Sequence, residues 1–343
     1  MQSRTASPAF LVTTHEENVN KYQMLALNLY FCTTYHKFMR LVAYIVSIGF
    51  LLGLAQKTRA QGSIDGFMRG QRKASLAIFG AQETYDTYYI NTTETKNPNL
   101  GTVTTQTLTV VGTYGLGYDL DLIVSAPYVR TQASAGYFPK QEGFQDVSGT
   151  LRWEAYDYKF GKTKLSWEFA VGYSMPMQNY VNDALVAIGR GSQNLDGRTL
   201  LHFKAPNFFI TGQYGYIRRG QVKLDHIVNT YDPSQLNPNS GLKVNVPDVT
   251  ELIVRAGIVT KVFNIDAWFQ RQTPHSDGTN IGPGIPFPTN AVGFTRVGAT
   301  AYLRLLKQFG LTAGYNTTLD GRNIGKSTQL NAGVVIGHWT ANN

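Results

Sequence analysis

Twelve segments in which apolar and polar residues alternate constrain the fold of this chain more than any other feature. In LDLIVSAPYV (residues 120–129), Leu120, Leu122 and Val124 share one face, while Asp121 and Ser125 share the other. A period of two residues is typical of β-strands. Most of the segments have 11–14 residues, enough to cross a bilayer at a tilt, which takes ~9–11. The predicted strands cover residues 74–90, 103–116, 120–131, 146–158, 164–175, 197–204, 208–218, 249–260, 263–273, 293–304, 309–319 and 327–339.

The connections between these strands alternate in length along the chain. Every second connection has 2–5 residues, and the others have 7–30. An up-and-down antiparallel barrel puts alternate connections at opposite ends, and outer-membrane barrels have short periplasmic turns and long extracellular loops. The sequence therefore predicts an all-β fold, a transmembrane antiparallel up-and-down β-barrel of about 12 strands. Two similar pairs, Asp196-Gly197 and Asp320-Gly321, are predicted as turns before strands.

The alternation also meets the demands of a lipid environment. In lipid every backbone N–H and C=O must be paired internally, so a sheet spans a bilayer only when it closes on itself. The outward face must then be apolar, the lumen can be polar, and aromatic residues concentrate at the two interfaces. We expect Tyr118 and Tyr128, at the two ends of the apolar stripe of the third strand, to mark these interfaces.

The first 60 residues have the features of a secretory leader. The basic run Lys37–Arg40 precedes the uncharged stretch LVAYIVSIGFLLGLA (residues 41–55), and Ala60 is a small residue at the expected cleavage point. This order describes a signal peptide. A signal anchor is the alternative, although the stretch is short for a span of ~20 residues. We expect cleavage near Ala60, a short periplasmic segment at residues 61–73 and an outer-membrane barrel at residues 74–343.

Cysteine usage and charge narrow the function classes. The single cysteine, Cys32, lies in the predicted leader, so the mature chain would hold no disulfide and no thiolate metal site. The leader also contains six of the 31 Lys and Arg residues and two of the 22 Asp and Glu residues, which leaves 25 and 20, a net charge near +5. Because no cluster of basic residues interleaved with aromatic residues occurs, we predict no nucleic-acid partner.

One face of each strand is assigned to lipid, so the charged residues of the other face are candidates for lining the lumen. In a channel such side chains set selectivity, whereas in a barrel without a passage they pair across a narrow lumen and stabilise it. For any single residue we favour pairing that stabilises a narrow lumen. For the set as a whole we favour a water-filled passage. The candidates are Arg152, Glu154, Glu168, Arg198, His202, Lys204, Glu251, Arg255, Asp266, Arg296 and Arg304.

A barrel can also be an enzyme, which requires catalytic side chains in a suitable arrangement. A serine hydrolase needs a histidine beside the serine and a polar partner that orients it. The nearest string, residues 274–278 (PHSDG), puts His275 and Ser276 next to each other, so on a strand they would face opposite sides. Other histidines lack metal-ligand spacing, and no glycine-rich loop follows a strand and opens a helix. We predict no catalytic residue, no cofactor and no metal.

Two stretches resemble a known family. They are TLTVVGTYGLGYDLDLIVSAPYV (residues 107–129) and FQDVSGTLRWEAY (residues 144–156). The strand, the Tyr114-Gly115-Leu116 turn, the strand ending in Pro127-Tyr128 and the following Gly/Asp-containing strand start are similar to the outer-membrane transporter family named for the MetA pathway of phenol degradation. The match covers about 45 residues. The resemblance implies an outer-membrane β-barrel that passes small compounds, aromatic ones among them, and carries over no catalytic or binding residues.

These observations lead to one predicted function and one alternative. We predict a channel in the outer membrane of a Gram-negative bacterium that passes small molecules, aromatic or hydrophobic ones among them. Its partners would be the lipid bilayer, a small-molecule solute and the outer-membrane insertion machinery, while the pattern indicates no oligomeric state. The alternative is a structural or adhesive barrel that binds through extracellular loops, above all residues 219–248. Glycines on the lumen face favour passage slightly.

Overall fold

A computed structural model describes residues 65–96, 98–182, 186–223, 243–277 and 290–337. The predicted signal peptide, most of the predicted loops at residues 219–248 and 274–292 and the last residues of the final predicted strand lie outside the described residues. The strands are β1 (Ala74–Tyr85), β2 (Thr87–Ile90), β3 (Thr93–Lys96), β4 (Val103–Gly117), β5 (Leu120–Ala133), β6 (Gln141–Phe144), β7 (Asp146–Phe160), β8 (Thr163–Pro176), β9 (Asn194–Lys204), β10 (Phe208–Arg219), β11 (Gln221–Lys223), β12 (Lys243–Asn245), β13 (Val249–Val259), β14 (Phe263–Pro274), β15 (Gly293–Arg304), β16 (Phe309–Arg322) and β17 (Thr328–Gly337).

Twelve of these strands close into a single antiparallel barrel. The order is β1-β4-β5-β7-β8-β9-β10-β13-β14-β15-β16-β17, and β17 returns to β1 with Ser75 opposite Gly337. This closure leaves no free sheet edge, which is the condition for spanning a bilayer with strands. The predicted fold class is therefore confirmed. Among the described residues no helix is long and apolar enough to cross a membrane.

The outward face of the barrel is apolar and exposed. Along β8, for example, Phe169, Val171 and Tyr173 point outward, with 36%, 60% and 46% of their surface exposed. The alternate residues Glu168 and Ala170 are buried. In water such a surface would be an interaction patch of unusual size, whereas lipid requires it. Other exposed apolar residues are Leu108, Trp153, Trp167, Ile210, Leu252, Val254, Ile258, Leu330 and Ile336.

The five short connections and both ends of the strand sequence lie at one end of the barrel, which we name the short-turn end. The turn between β4 and β5 consists of Tyr118 and Asp119, with φ of 52° and 55°. Two consecutive residues with positive φ describe a type I′ hairpin turn. Tyr118 is therefore not part of the lipid-facing stripe of β5, because this residue turns the chain and is 93% exposed. That it marks a lipid–water interface stays a prediction. Tyr128 does lie on the outward face of β5.

The other end, which we name the long-loop end, carries the additional short strands. β2 pairs with β3, β11 with β12, and β6 extends the edge of β5. The predicted Asp-Gly turns are wrong: Asp196-Gly197 lies inside β9, and Asp320-Gly321 lies near the end of β16. In both cases the strand extends further toward the long-loop end than the alternation alone indicated.

Candidate functional site in the barrel lumen

Residues 65–73 fold back into the barrel from the short-turn end, and we name Asp65–Arg69 the plug segment. The chain turns at Gly70, whose φ is 80°, and the Arg72 N–H donates to the Gly115 carbonyl at 2.7 Å. The backbones are so close there that a side chain on Gly115 would collide with the Gly70 carbonyl. Asp65 and Arg69 are 2% and 7% exposed, which places them inside the lumen.

One arginine of the wall holds the plug segment by its charge. Arg152 of β7 donates to Asp65 Oδ1 at 3.3 Å, to the Phe67 carbonyl at 2.8 Å and to Asp121 Oδ2 at 2.8 Å. Arg69 completes the network, with its own ion pair to Asp65 at 3.1 Å and its backbone N–H bonded to Asp121 at 2.9 Å. Glu168 stands 3.8 Å from Arg152. Buried charges in a low-dielectric interior require such paired arrangements.

The protonation of Asp65 follows from the same contacts. Burial acts to raise the pKa of this carboxyl, but the charges of Arg69 and Arg152 and the N–H of Phe67 outweigh burial and hold the pKa below its usual value. Asp65 is therefore ionised at neutral pH, and its charge is matched within the network. The plug segment is held by ionic contacts that persist under physiological conditions.

Phe67 fixes the plug segment by apolar contacts as well. Its ring lies edge-on to the rings of Phe209, at 5.0 Å, and of His202, at 4.7 Å. It belongs to a buried cluster with residues from four strands of the wall: Phe209, Val259, Tyr302 and Val335. These strands belong to one half of the barrel wall, from β10 to β17, so the cluster fixes the plug segment against that half. His202 Nδ1 is also within 2.7 Å of Thr211 Oγ1.

The described residues of the connection between β8 and β9, 177–182 and 186–193, narrow the lumen from the long-loop end, and we name them the inner loop. Val186 is buried against Tyr88, Leu100 and Val103, at the wall formed by β4. Tyr180 donates its hydroxyl to Asp146 at 2.5 Å. Burial and the charge of Asp146 raise the pKa of Tyr180, so this hydroxyl remains a donor.

Two cavities remain inside the barrel. The arginine cavity has a volume of about 490 Å³. The tryptophan cavity has about 260 Å³, and both are lined by Arg255 and Gln270, so they adjoin. Charged residues that line the first are Asp146, Arg190, Asp196, Arg198, Arg219 and Glu251. Residues that line the second include Phe79, Val111, Trp268, Arg296, Asn331 and Val335.

Glycines on the lumen face make room for neighbouring side chains. A Cβ on Gly298 would collide with the ring of Trp268, and one on Gly215 would lie 3.0 Å from the Arg198 side chain. Large side chains therefore lie flat across glycines of the adjacent strand, as aromatic residues do when they cover a glycine in a sheet. The side chains of Trp268 and Arg198, which line the cavities, occupy the space that these glycines provide.

Most sequence-predicted lumen residues come together in ion pairs. Arg198 pairs with Asp196 at 2.6 Å and with Glu251. Three more pairs join strands across the lumen face: Arg255 with Asp266 at 3.4 Å, Arg296 with Glu83 at 2.7 Å and Glu154 with Lys164 at 2.5 Å. Lys204 and Arg304 end β9 and β15 at the short-turn end, away from both cavities. Whether any of these residues sets selectivity stays a prediction.

Several residues of the site were not among the candidates. The plug segment and Arg190 of the inner loop lie outside regular strands, so no alternation identifies them. Arg219 continues the inward phase of β10 and Asp196 that of β9, and extending both predicted strands would have included them. The string around His275 lies at the long-loop end, where the His275 ring packs 5.5 Å from Tyr216 and Asp277 pairs with Arg322 at 2.6 Å.

Comparison with solved structures identifies the fold. The COG4313 outer membrane channel from Pseudomonas putida F1 superposes with a TM-score of 0.59 at 13% identity, over 81% of this chain and 99% of the other. The translocator domain of the autotransporter NalP from Neisseria meningitidis gives 0.41 at 10% identity, over 78% and 89%. A NanC porin gives 0.41 at 9% identity, over 75% and 98%. No protein-family model matches the sequence, and no curated protein sequence matches it. The fold is that of outer-membrane barrels.

Proposed function

We propose that this protein is a channel in the outer membrane of a Gram-negative bacterium, through which small molecules pass passively. The observation that carries this proposal is the pair of adjoining cavities inside a closed barrel, lined largely by charged and polar side chains. A polar, hydrated interior is typical of barrels with a passage. The proposal implies the lipid bilayer and the outer-membrane insertion machinery as partners.

The dimensions of the barrel limit the solute to small molecules. Twelve strands ~4.8 Å apart and tilted by ~40° give a backbone diameter of roughly 24 Å, of which inward side chains leave roughly 10 Å. The plug segment and the inner loop each narrow that space further. We propose that the plug segment is the main constriction, because its residues contact strands of both halves of the wall. Trp268 and Phe79 would contact an aromatic solute.

A structural or adhesive barrel without a passage is the second candidate. The observation in its favour is the same plug segment, which the Arg152 network and the Phe67 cluster connect to both halves of the wall near the short-turn end. Such a barrel would bind partners through its long loops, of which residues 224–242 and 278–289 lie outside the described residues. We propose no catalytic role for the string around His275.

Solute flux into liposomes separates the two candidates. Purified full-length mature protein is incorporated into liposomes, and the uptake of neutral solutes of increasing size is compared with that of protein-free liposomes. A channel predicts uptake that falls steeply with solute size. The preparation must be folded, which a shift of its gel migration on heating shows. If uptake of every solute then equals that of protein-free liposomes, the result contradicts the channel and favours the structural or adhesive barrel.

A further inference from the structure

The arginine cavity is lined by four arginines and three carboxylates, and two of these arginines have no carboxylate partner within ion-pair distance among the described residues. Arg198 is matched by Asp196 and Glu251, and Arg255 by Asp266. The Arg219 guanidinium donates to two neutral acceptors among the described residues, the Pro247 carbonyl at 3.3 Å and Gln272 Oε1 at 3.4 Å, while its backbone N–H donates to Asp248 Oδ1 at 2.7 Å.

Arg190 is the second unmatched guanidinium. Among the charged residues around it, Asp146 has the strongest attractive interaction with Arg190. That carboxylate, however, already accepts the Tyr180 hydroxyl at 2.5 Å. No described carboxylate pairs with Arg190 within 4.0 Å. Burial lowers the pKa of Arg190, and the positive charges of Arg190 and Arg219 interact unfavourably with each other.

Two guanidinium groups that face one cavity, each without a described carboxylate in ion-pair distance, offer donors to an anion. A guanidinium offers a planar fork of donors that matches a carboxylate, and an unmatched buried charge is costly until a counter-charge arrives. Asp146, Asp196 and Glu251 line the same cavity, so a multiply charged anion such as phosphate would be repelled. The site therefore favours an anion with a single negative charge.

The adjoining tryptophan cavity indicates the rest of the ligand. Phe79, Val111, Trp268 and Val335 give it an apolar side. Ile217 and Arg255 both line the arginine cavity. Val249, which pairs with Ile217, lies six residues before Arg255 on β13, so this cavity extends along about 20 Å of strand. A small solute would therefore occupy the two cavities in turn. We infer that the arginine cavity is a docking site for small organic acids, in which Arg190 and Arg219 bind the carboxylate and from which the apolar part passes on to the tryptophan cavity.

This inference rests on the proposed passage of small molecules, and calorimetry separates the two. Binding of benzoate to the detergent-solubilised full mature chain is compared with binding of benzamide, which has the same shape without the charge. We expect benzoate to bind at least about tenfold more tightly than benzamide, because charge-assisted hydrogen bonds form only with the carboxylate. Equal affinity, or no benzoate binding, overturns the inference.

Variants identify the residues that bind. Arg190→Gln and Arg219→Gln each should weaken benzoate binding about tenfold or more. Arg218→Gln is the matched control, since this neighbouring residue is exposed on the outer face and its removal changes the net charge equally. If the control weakens binding as much as the two variants do, the site is not the arginine cavity. If one variant fails to fold, the other variant and the comparison of benzoate with benzamide still decide.

Conductance in planar bilayers then tests the passage independently. Benzoate added on the side of the long loops should interrupt the current through the wild-type channel and have little effect on Arg219→Gln. Binding that depends on Arg190 and Arg219 without any current would uphold the acid site and contradict the channel. Current that benzoate and benzamide affect equally would uphold the channel and overturn the acid site.

Discussion

At the scale of single residues, Arg152 connects three separate parts of the molecule. Its guanidinium contacts Asp65 and the Phe67 carbonyl of the plug segment, Asp121 of β5 and, at a longer distance, Glu168 of β8. Only 1% of its surface is exposed. Because the interaction of buried charges with water is lost, Asp121 and Glu168 depend on Arg152 for compensation, whereas Asp65 is also paired with Arg69.

Replacing Arg152 tests this role. Arg152→Gln leaves Asp121 and Glu168 buried without a matching positive charge, and we expect the free energy of unfolding to fall by about 3–5 kcal/mol. The control is Arg130→Gln, whose exposed ion pair with Glu142 at 3.9 Å contributes at most about 1 kcal/mol. Urea unfolding in detergent measures both. Equal losses in the two variants would show that the Arg152 network does not stabilise the barrel.

Tyr118 offers a second test at a single residue. It turns the chain at φ of 52°, a conformation that costs a residue with a large side chain about 1–2 kcal/mol and that asparagine tolerates better. We expect Tyr118→Asn to raise the free energy of unfolding by about 1 kcal/mol. Tyr128→Asn, which exposes an amide on the lipid-facing side of β5, should lower it. A loss of stability in both variants would indicate that Tyr118 stabilises the barrel through the membrane interface.

At the scale of elements, the two segments inside the lumen are held in different ways. The plug segment combines ion pairs with a buried phenylalanine, whereas the inner loop is held by Val186 packing at the β4 wall and by the hydrogen bond from Tyr180 to Asp146. The described residues of both segments contain no strand or helix, so fewer backbone hydrogen bonds fix them than fix the strands. Segments of this kind open at lower free-energy cost than the strands that hold them.

Cross-linking the plug segment to the wall tests whether it moves. The double variant Phe67→Cys with Phe209→Cys replaces two rings whose centroids are 5.0 Å apart, and the only native cysteine lies in the predicted leader. A short cleavable thiol cross-linker should reduce channel opening, recorded as current in planar bilayers. Cleavage of the cross-linker should restore the opening. The single Phe67→Cys variant under the same treatment is the control. Unchanged opening after complete cross-linking would show that the plug segment does not gate the lumen.

At the scale of the whole molecule, the sequence predicts the wall of the barrel but not the segments that lie inside its lumen. Alternation identifies the twelve wall strands, and β15 begins and ends as predicted, at Gly293 and Arg304, because lipid on one side and a polar lumen on the other impose opposite chemistry on alternate residues. Asp65, Phe67 and Arg190 carry no such periodic signal. Their positions depend on the volume left inside the closed barrel and on charges supplied by distant strands, so only the assembled structure reveals them.

The central claim is that the lumen is a passage that the plug segment constricts, and single-channel conductance tests it most directly. Wild-type protein is compared with a variant that lacks residues 65–69, with Phe67→Ala as a milder second variant and a heat-dependent gel shift as evidence of folding. The account predicts a small conductance for the wild type, a larger one for Phe67→Ala and the largest for the deletion. Equal conductance in all three, or electrical silence of a folded deletion variant, would contradict it.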